Sequence, residues 1–136
     1  MAVAERAWCV VVPHHARGSR LARHKLTTEL AGVVRQGLLA DVIAVAGELV
    51  GNAVRHAAPL PGGVIRVAWR LRPGLYAGES MVELRVTDGG STQPPHMRLV
   101  GPEAVDGRGL AIVSALADRW GVERDGLGQS VWAELS

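Results

Sequence analysis

Asp41-Val42-Ile43-Ala44-Val45-Ala46-Gly47-Glu48-Leu49-Val50-Gly51-Asn52-Ala53-Val54-Arg55-His56-Ala57 is the stretch on which the fold turns. Its apolar residues recur at three- and four-residue intervals, which predicts a helix with Asp41 as N-cap, stopped by Pro59 and Pro61. At about 100° per residue from Glu48, Asn52 falls at about 40° and Arg55 at about −20°, with Asp41 in the same arc. Nearly everything else on the helix is small or apolar. A helix apolar around most of its circumference is buried, so a thin polar seam on it faces either solvent or a wet, liganded cavity. A solvent edge usually carries Lys, Glu and Gln in loose order. A carboxylate, a carboxamide and a guanidinium one turn apart suit a metal–phosphate site better, with Asn52 as neutral oxygen ligand, Glu48 as base and Arg55 as phosphate clamp.

The flanking sequence sets this helix in an α+β layer. Ala7 to Val12 is rich in Val and bounded by Pro13, so it reads as a first strand in which Cys9 is a buried small hydrophobe. His15 to Val34 reads as a helix with Ala22, Leu26, Leu30 and Val33/Val34 on one face and Arg17, Arg20, Arg23, His24 and Lys25 on the other. Val64 to Leu71 and Met81 to Thr87 alternate, and the loop from Arg72 to Ser80 makes them a hairpin. From Asp88 to Gly107 periodicity is lost among three prolines and four glycines, a length typical of a functional lid. Gly109 to Trp120 is helical, and strands Trp120 to Arg124 and Ser130 to Leu135 close the chain around the turn Asp125-Gly126-Leu127-Gly128. This order is not doubly wound. It predicts a two-layer α+β sandwich, a mixed but mostly antiparallel sheet with three helices on one face.

Composition bounds the function. A chain of 136 residues is expected to be one domain, 1–136. Apolar residues at 48% and charged residues at 21% exclude a disordered chain, and four Trp, one Tyr and no Phe make the core aliphatic. A net charge of +2 with pI near 9.3 neither demands nor excludes nucleic acid. The lone Cys9 excludes an intramolecular disulfide framework. The apolar run before Pro13 is too short for a secretory signal, and no stretch approaches the ~20 residues of a bilayer span. The expected location is the cytoplasm, with no membrane partner.

Two glycine clusters carry the next signal. Asp88-Gly89-Gly90 puts a carboxylate at a strand end just before the lid. Gly107-Arg108-Gly109-Leu110 puts two glycines at the mouth of the third helix, where free N–H groups and the positive end of the macrodipole cradle phosphate. Each alone is also an ordinary turn. There is no Walker-type loop and no dinucleotide fingerprint.

In this order the pieces resemble the GHKL (Bergerat-fold) ATPases. Glu48 to Ala57 is similar to their N box in the form found in anti-sigma-factor serine kinases. Asp88-Gly89-Gly90 resembles the first glycine box, Gly107-Arg108-Gly109-Leu110 the second, and Gly128-Gln129-Ser130-Val131-Trp132 the final strand. The resemblance runs from the first helix to the C-terminus. It implies that Asn52 coordinates Mg²⁺ bridging the phosphates of ATP, and that Glu48 orients or deprotonates the attacking hydroxyl. Asp88 would accept a hydrogen bond from the adenine amino group, with Gly90 allowing close approach. Arg108 and the N–H groups of Gly107 and Gly109 would hold phosphates, His56 belongs to the N box, and Ser130 would reach the adenine side. The chain departs from the family at Thr92, where the first glycine box ends in glycine, and Pro94-Pro95 stiffen the approach to the lid.

The implied activity is transfer of the ATP γ-phosphate to Ser or Thr of an anti-sigma-antagonist (STAS-type) partner, with sequestration of a sigma factor and a homodimeric state. A non-catalytic, nucleotide-gated interaction module of the same fold is the alternative; Glu48 favours the kinase and Thr92 the module. A nucleic-acid binder rests on charge alone, without the aromatic interleaving of single-strand binders. Arg23-His24-Lys25-Leu26-Thr27-Thr28 faintly echoes the phosphoacceptor box of sensor kinases, but it lies too near Glu48 for the helical hairpin those proteins interpose. His14-His15 lacks a third ligand nearby and reads as a helix-entry pair.

Overall fold

Strict alternation builds the sheet. The computed structural model describes residues 5–90, 105–124, 126 and 128–136, those at 105–109 as backbone only. Strand β1 spans Arg6–Pro13, β2 Val64–Pro73, β3 Ser80–Asp88, β4 Arg119–Arg124 and β5 Gln129–Leu135. Ile65, Val67, Trp69 and Leu71 of β2 are buried, as are Val82, Leu84, Val86 and Asp88 of β3, while the intervening residues face outward. The strands lie in the order β1-β2-β3-β5-β4, and every ladder is antiparallel. On the inner face Trp8 stacks on its cross-strand partner Trp69, with ring centroids 6.0 Å apart.

Three helices cover that inner face: α1 (Ala16–Leu30), α2 (Gln36–His56) and α3 (Val105–Leu116). Leu38, Val42, Val45, Ala46, Leu49, Val50 and Ala53 put the apolar face of α2 into the core, and Ala22, Leu26 and Leu30 of α1 join the same cluster. The expected two-layer α+β architecture is the one observed.

Helix limits differ from the sequence reading in instructive ways. α1 stops at Leu30, four residues short of Val34, because Gly32 takes a left-handed φ of 78° and turns the chain. Val33 and Val34 keep the apolar spacing but sit in that turn. α2 starts at Gln36, so Asp41 is a half-buried residue of the helix body and not its N-cap. Leu38 is the reason: it extends the buried stripe one turn before Val42. The resulting 21-residue helix is long and apolar enough to cross a bilayer by length and composition, contrary to the sequence expectation. Its packing between the sheet and two helices is that of a core helix.

Cys9 is exposed rather than buried. β1 is an edge strand whose inward residues are Trp8, Val10 and Val12, which leaves Cys9 and Val11 on the outer face. There Arg66 Nε donates to Cys9 Sγ at 2.9 Å. The two histidines at the start of α1 part company. His15 is the N-cap, its Nδ1 accepting from the Arg17 N–H at 3.1 Å. His14 Nε2 lies 3.1 Å from the Ala53 carbonyl and 2.7 Å from that of Ala57, and so caps the far end of α2.

Candidate nucleotide site

Among the described residues the buried polar side chains are Asn52, Asp88, Gln129 and Ser130. Three lie at the adjoining ends of β3 and β5. The fourth sits in the last turns of α2, and the chain leaving α2 is tied to the same place. Gly89 N–H donates to the Ala58 carbonyl at 2.7 Å, and Ala58 N–H donates to the Gly90 carbonyl at 3.0 Å. This exchange needs a glycine: a Cβ on Gly89 would collide with the Pro59 carbonyl oxygen and lie 2.9 Å from that of Ala58. Gly90, with φ 89°, supplies the left-handed turn that brings its own N–H back to Asp88 Oδ1 at 2.7 Å. The Asp88 carboxylate is thereby oriented at 3% exposure.

Along α2 the predicted seam is present and graded. Asn52 is buried, Glu48 half-buried and Arg55 exposed. Arg55 Nη2 donates to Asn52 Oδ1 at 3.1 Å, which leaves that oxygen a second lone pair. Glu48, one turn earlier, lines an open cavity of about 350 Å³ with Ser19 and Arg23 of α1, Ala40, Ile43, Ala44 and Gly47 of α2, and Ile112 of α3. His56 follows Arg55 at the helix end, half-buried. Leu110 is buried in α3. Because α3 begins at Val105, Gly107 lies in its first turn, where N–H groups are free, and Gly109 lies in the hydrogen-bonded body. The lid residues from 91 to 104, including Thr92, Pro94 and Pro95, and the side chain of Arg108 lie outside the described residues.

Ser130 is not where the sequence reading put it. It pairs with Thr87 across the ladder, and the two hydroxyls are hydrogen-bonded at 2.7 Å on the face opposite Asp88. The residue facing Asp88 across β3 and β5 is Gln129, 1% exposed. Its Oε1 accepts from Arg124 Nε at 3.1 Å, while its Nε2 is buried with no hydrogen-bond partner among the described residues. An orphaned amide beside an oriented carboxylate is one unfilled donor next to acceptor capacity. Adenine carries the complementary pair on one edge, so these side chains fit an adenine nucleotide. The sequence held one usable signal for Gln129: two-residue alternation within β5 puts it on the same face as the apolar Val131, Ala133 and Leu135.

Residues 12–135 match the family model of the histidine kinase-like ATPase domain. The chain belongs to this family. A solved structure, the RsbU and RsbW domains of Rv1364c from Mycobacterium tuberculosis, superposes on this histidine kinase-like ATPase domain with a TM-score of 0.67 at 21% identity. The overlap covers 96% of this chain and 32% of that one, so the chain spans about a third of that structure's length. At that identity the likeness shows the fold. A comparison with curated protein sequences gave no match. Family membership implies ATP binding, and the architecture is that of the GHKL ATPases.

Proposed function

We propose that this histidine kinase-like ATPase domain, residues 1–136 acting as one domain, is a cytoplasmic anti-sigma-type regulator. It transfers the γ-phosphate of ATP to a Ser or Thr of a STAS-type antagonist and holds a sigma factor when free, working as a homodimer. The observation that carries this reading is the joint placement of Asn52, Asp88 and Gln129 at the ends of α2, β3 and β5, with Glu48 opening onto a groove one turn away. Asp88 and Gln129 take the base. Asn52, Arg55 and the start of α3 at Gly107-Arg108 take the phosphates, whereas the Gly109 N–H, expected to join them, is engaged within the helix. Asn52 Oδ1 is the protein oxygen for Mg²⁺, which commonly takes only one or two protein ligands beside substrate phosphates. When bound, that ion neutralises charge on the phosphates.

In the transfer the partner's hydroxyl oxygen bonds to the γ-phosphorus, the bond to the β-phosphate oxygen breaks, and the hydroxyl proton passes to Glu48. Phosphoryl transfer is mostly positioning and charge neutralisation, so Glu48 needs alignment more than an unusual pKa. The test is incubation of the full chain with [γ-³²P]ATP and candidate antagonist domains. Label on Ser or Thr of the antagonist supports the reading, and no transfer to any of them overturns its catalytic part. The second reading, a nucleotide-gated module without transfer, is favoured by Thr92 in the first glycine box; it is the outcome in which nucleotide binds and label stays on ATP.

A further inference from the structure

We propose that Gln129 reads the nucleobase directly, its carboxamide N–H₂ donating to N1 of adenine beside Asp88. The inference rests on the reading that this site binds an adenine nucleotide. Gln129 and Asp88 are register partners on the inner face of the sheet, with exposures of 1% and 3%. Directly opposed residues in an antiparallel pair have Cβ atoms about 5 Å apart, close enough to meet one edge of one ring. The Arg124 guanidinium settles which end of the amide is offered. Its Nε–H binds Gln129 Oε1, so the oxygen is turned to β4 and the N–H₂ is turned away from it. That N–H₂ is buried and unpartnered among the described residues. A buried donor of this kind needs an acceptor.

The edge it requires has an acceptor beside a donor. Adenine presents N1 as acceptor and the N6 amino group as donor, answering Gln129 and Asp88 in turn. Hypoxanthine reverses both, setting N1–H against the amide N–H₂ and O6 against the carboxylate. Arg124 is the positioning residue, because without it the amide is free to turn and offer Oε1 instead.

The test is calorimetric titration of the full chain with ADP, 1-deaza-ADP (in which C–H replaces N1) and IDP. The wild type is expected to bind 1-deaza-ADP about 10- to 100-fold more weakly than ADP, the scale of leaving a buried donor unpaired. IDP should be weaker still. In Gln129→Met the ADP to 1-deaza-ADP ratio should fall to within about two-fold, while IDP stays discriminated through Asp88. Gln129→Leu is likewise without a donor and places no second carboxyl beside Asp88. It should also abolish the ratio, and it decides the matter if Gln129→Met does not fold. Equal affinity of the wild type for ADP and 1-deaza-ADP, or a ratio that survives in both variants, overturns the inference. Absence of ADP binding in a folded wild type overturns the nucleotide reading itself, a different result.

Discussion

Gly89→Ala is the substitution that most sharply separates space from backbone conformation in this site. Gly89 does not have a positive φ, so dihedral preference alone predicts tolerance. Space predicts the opposite, because the added Cβ meets the Pro59 carbonyl oxygen and comes within 2.9 Å of the Ala58 carbonyl oxygen, both backbone atoms that cannot rotate aside. The segments must separate, which breaks the Gly89 N–H to Ala58 and Ala58 N–H to Gly90 bonds. Two hydrogen bonds at about 1 kcal/mol each, with about 1–3 kcal/mol of overpacking, give a loss of about 3–5 kcal/mol. Gly90→Ala and Gly62→Ala are the comparison: φ is 89° and 88°, nothing crowds either Cβ, and each should cost about 1–2 kcal/mol. Urea unfolding at constant m measures all three. Gly89→Ala should also weaken ADP binding at least about tenfold, since it displaces Asp88, whereas Gly62→Ala should leave binding unchanged. Gly89→Ala proving no more destabilising than Gly62→Ala would show that the Pro59 and Ala58 carbonyls do not confine this position.

Further outcomes follow from other contacts. His14→Ala removes the cap on Ala53 and Ala57 and should cost about 1–2 kcal/mol in urea unfolding, with His14→Gln recovering part of it. Glu48→Gln should leave ADP affinity within a few-fold while label transfer to a confirmed antagonist falls about 100-fold or more, the scale of lost general-base help; an unchanged rate removes Glu48 from the chemistry. Cys9, exposed on the outer face, should be alkylated by iodoacetamide in the native chain, and protection until unfolding would contradict its placement.

Much of this was legible in the chain itself. Alternation in β2 and β3 separated the two faces of each strand without saying which is buried, and the Glu48–Asn52–Arg55 seam emerged from helical spacing alone. Helix limits were less legible, because Leu38 and Val33/Val34 satisfy the same apolar spacing although one pair belongs to a turn and the other residue to a helix. Only Gly32 distinguishes them, and its effect is conformational. The exposure of Cys9 is not legible in the sequence, because an apolar run says nothing about which strand lies at the sheet edge. The role of Gln129 is hidden for a related reason: the register of β5 against β3 turns the Ser130 hydroxyl to Thr87 and gives the place beside Asp88 to its neighbour.

Nucleotide occupancy of the junction of α2, β3 and β5 is tested directly by calorimetric titration of the chain with Mg·ATP. Saturable binding is expected at one site per chain, weakened steeply by Asn52→Ala and by Asp88→Ala in variants that remain folded. No detectable heat at millimolar ATP in the folded wild type, or full affinity retained in both variants, would contradict it.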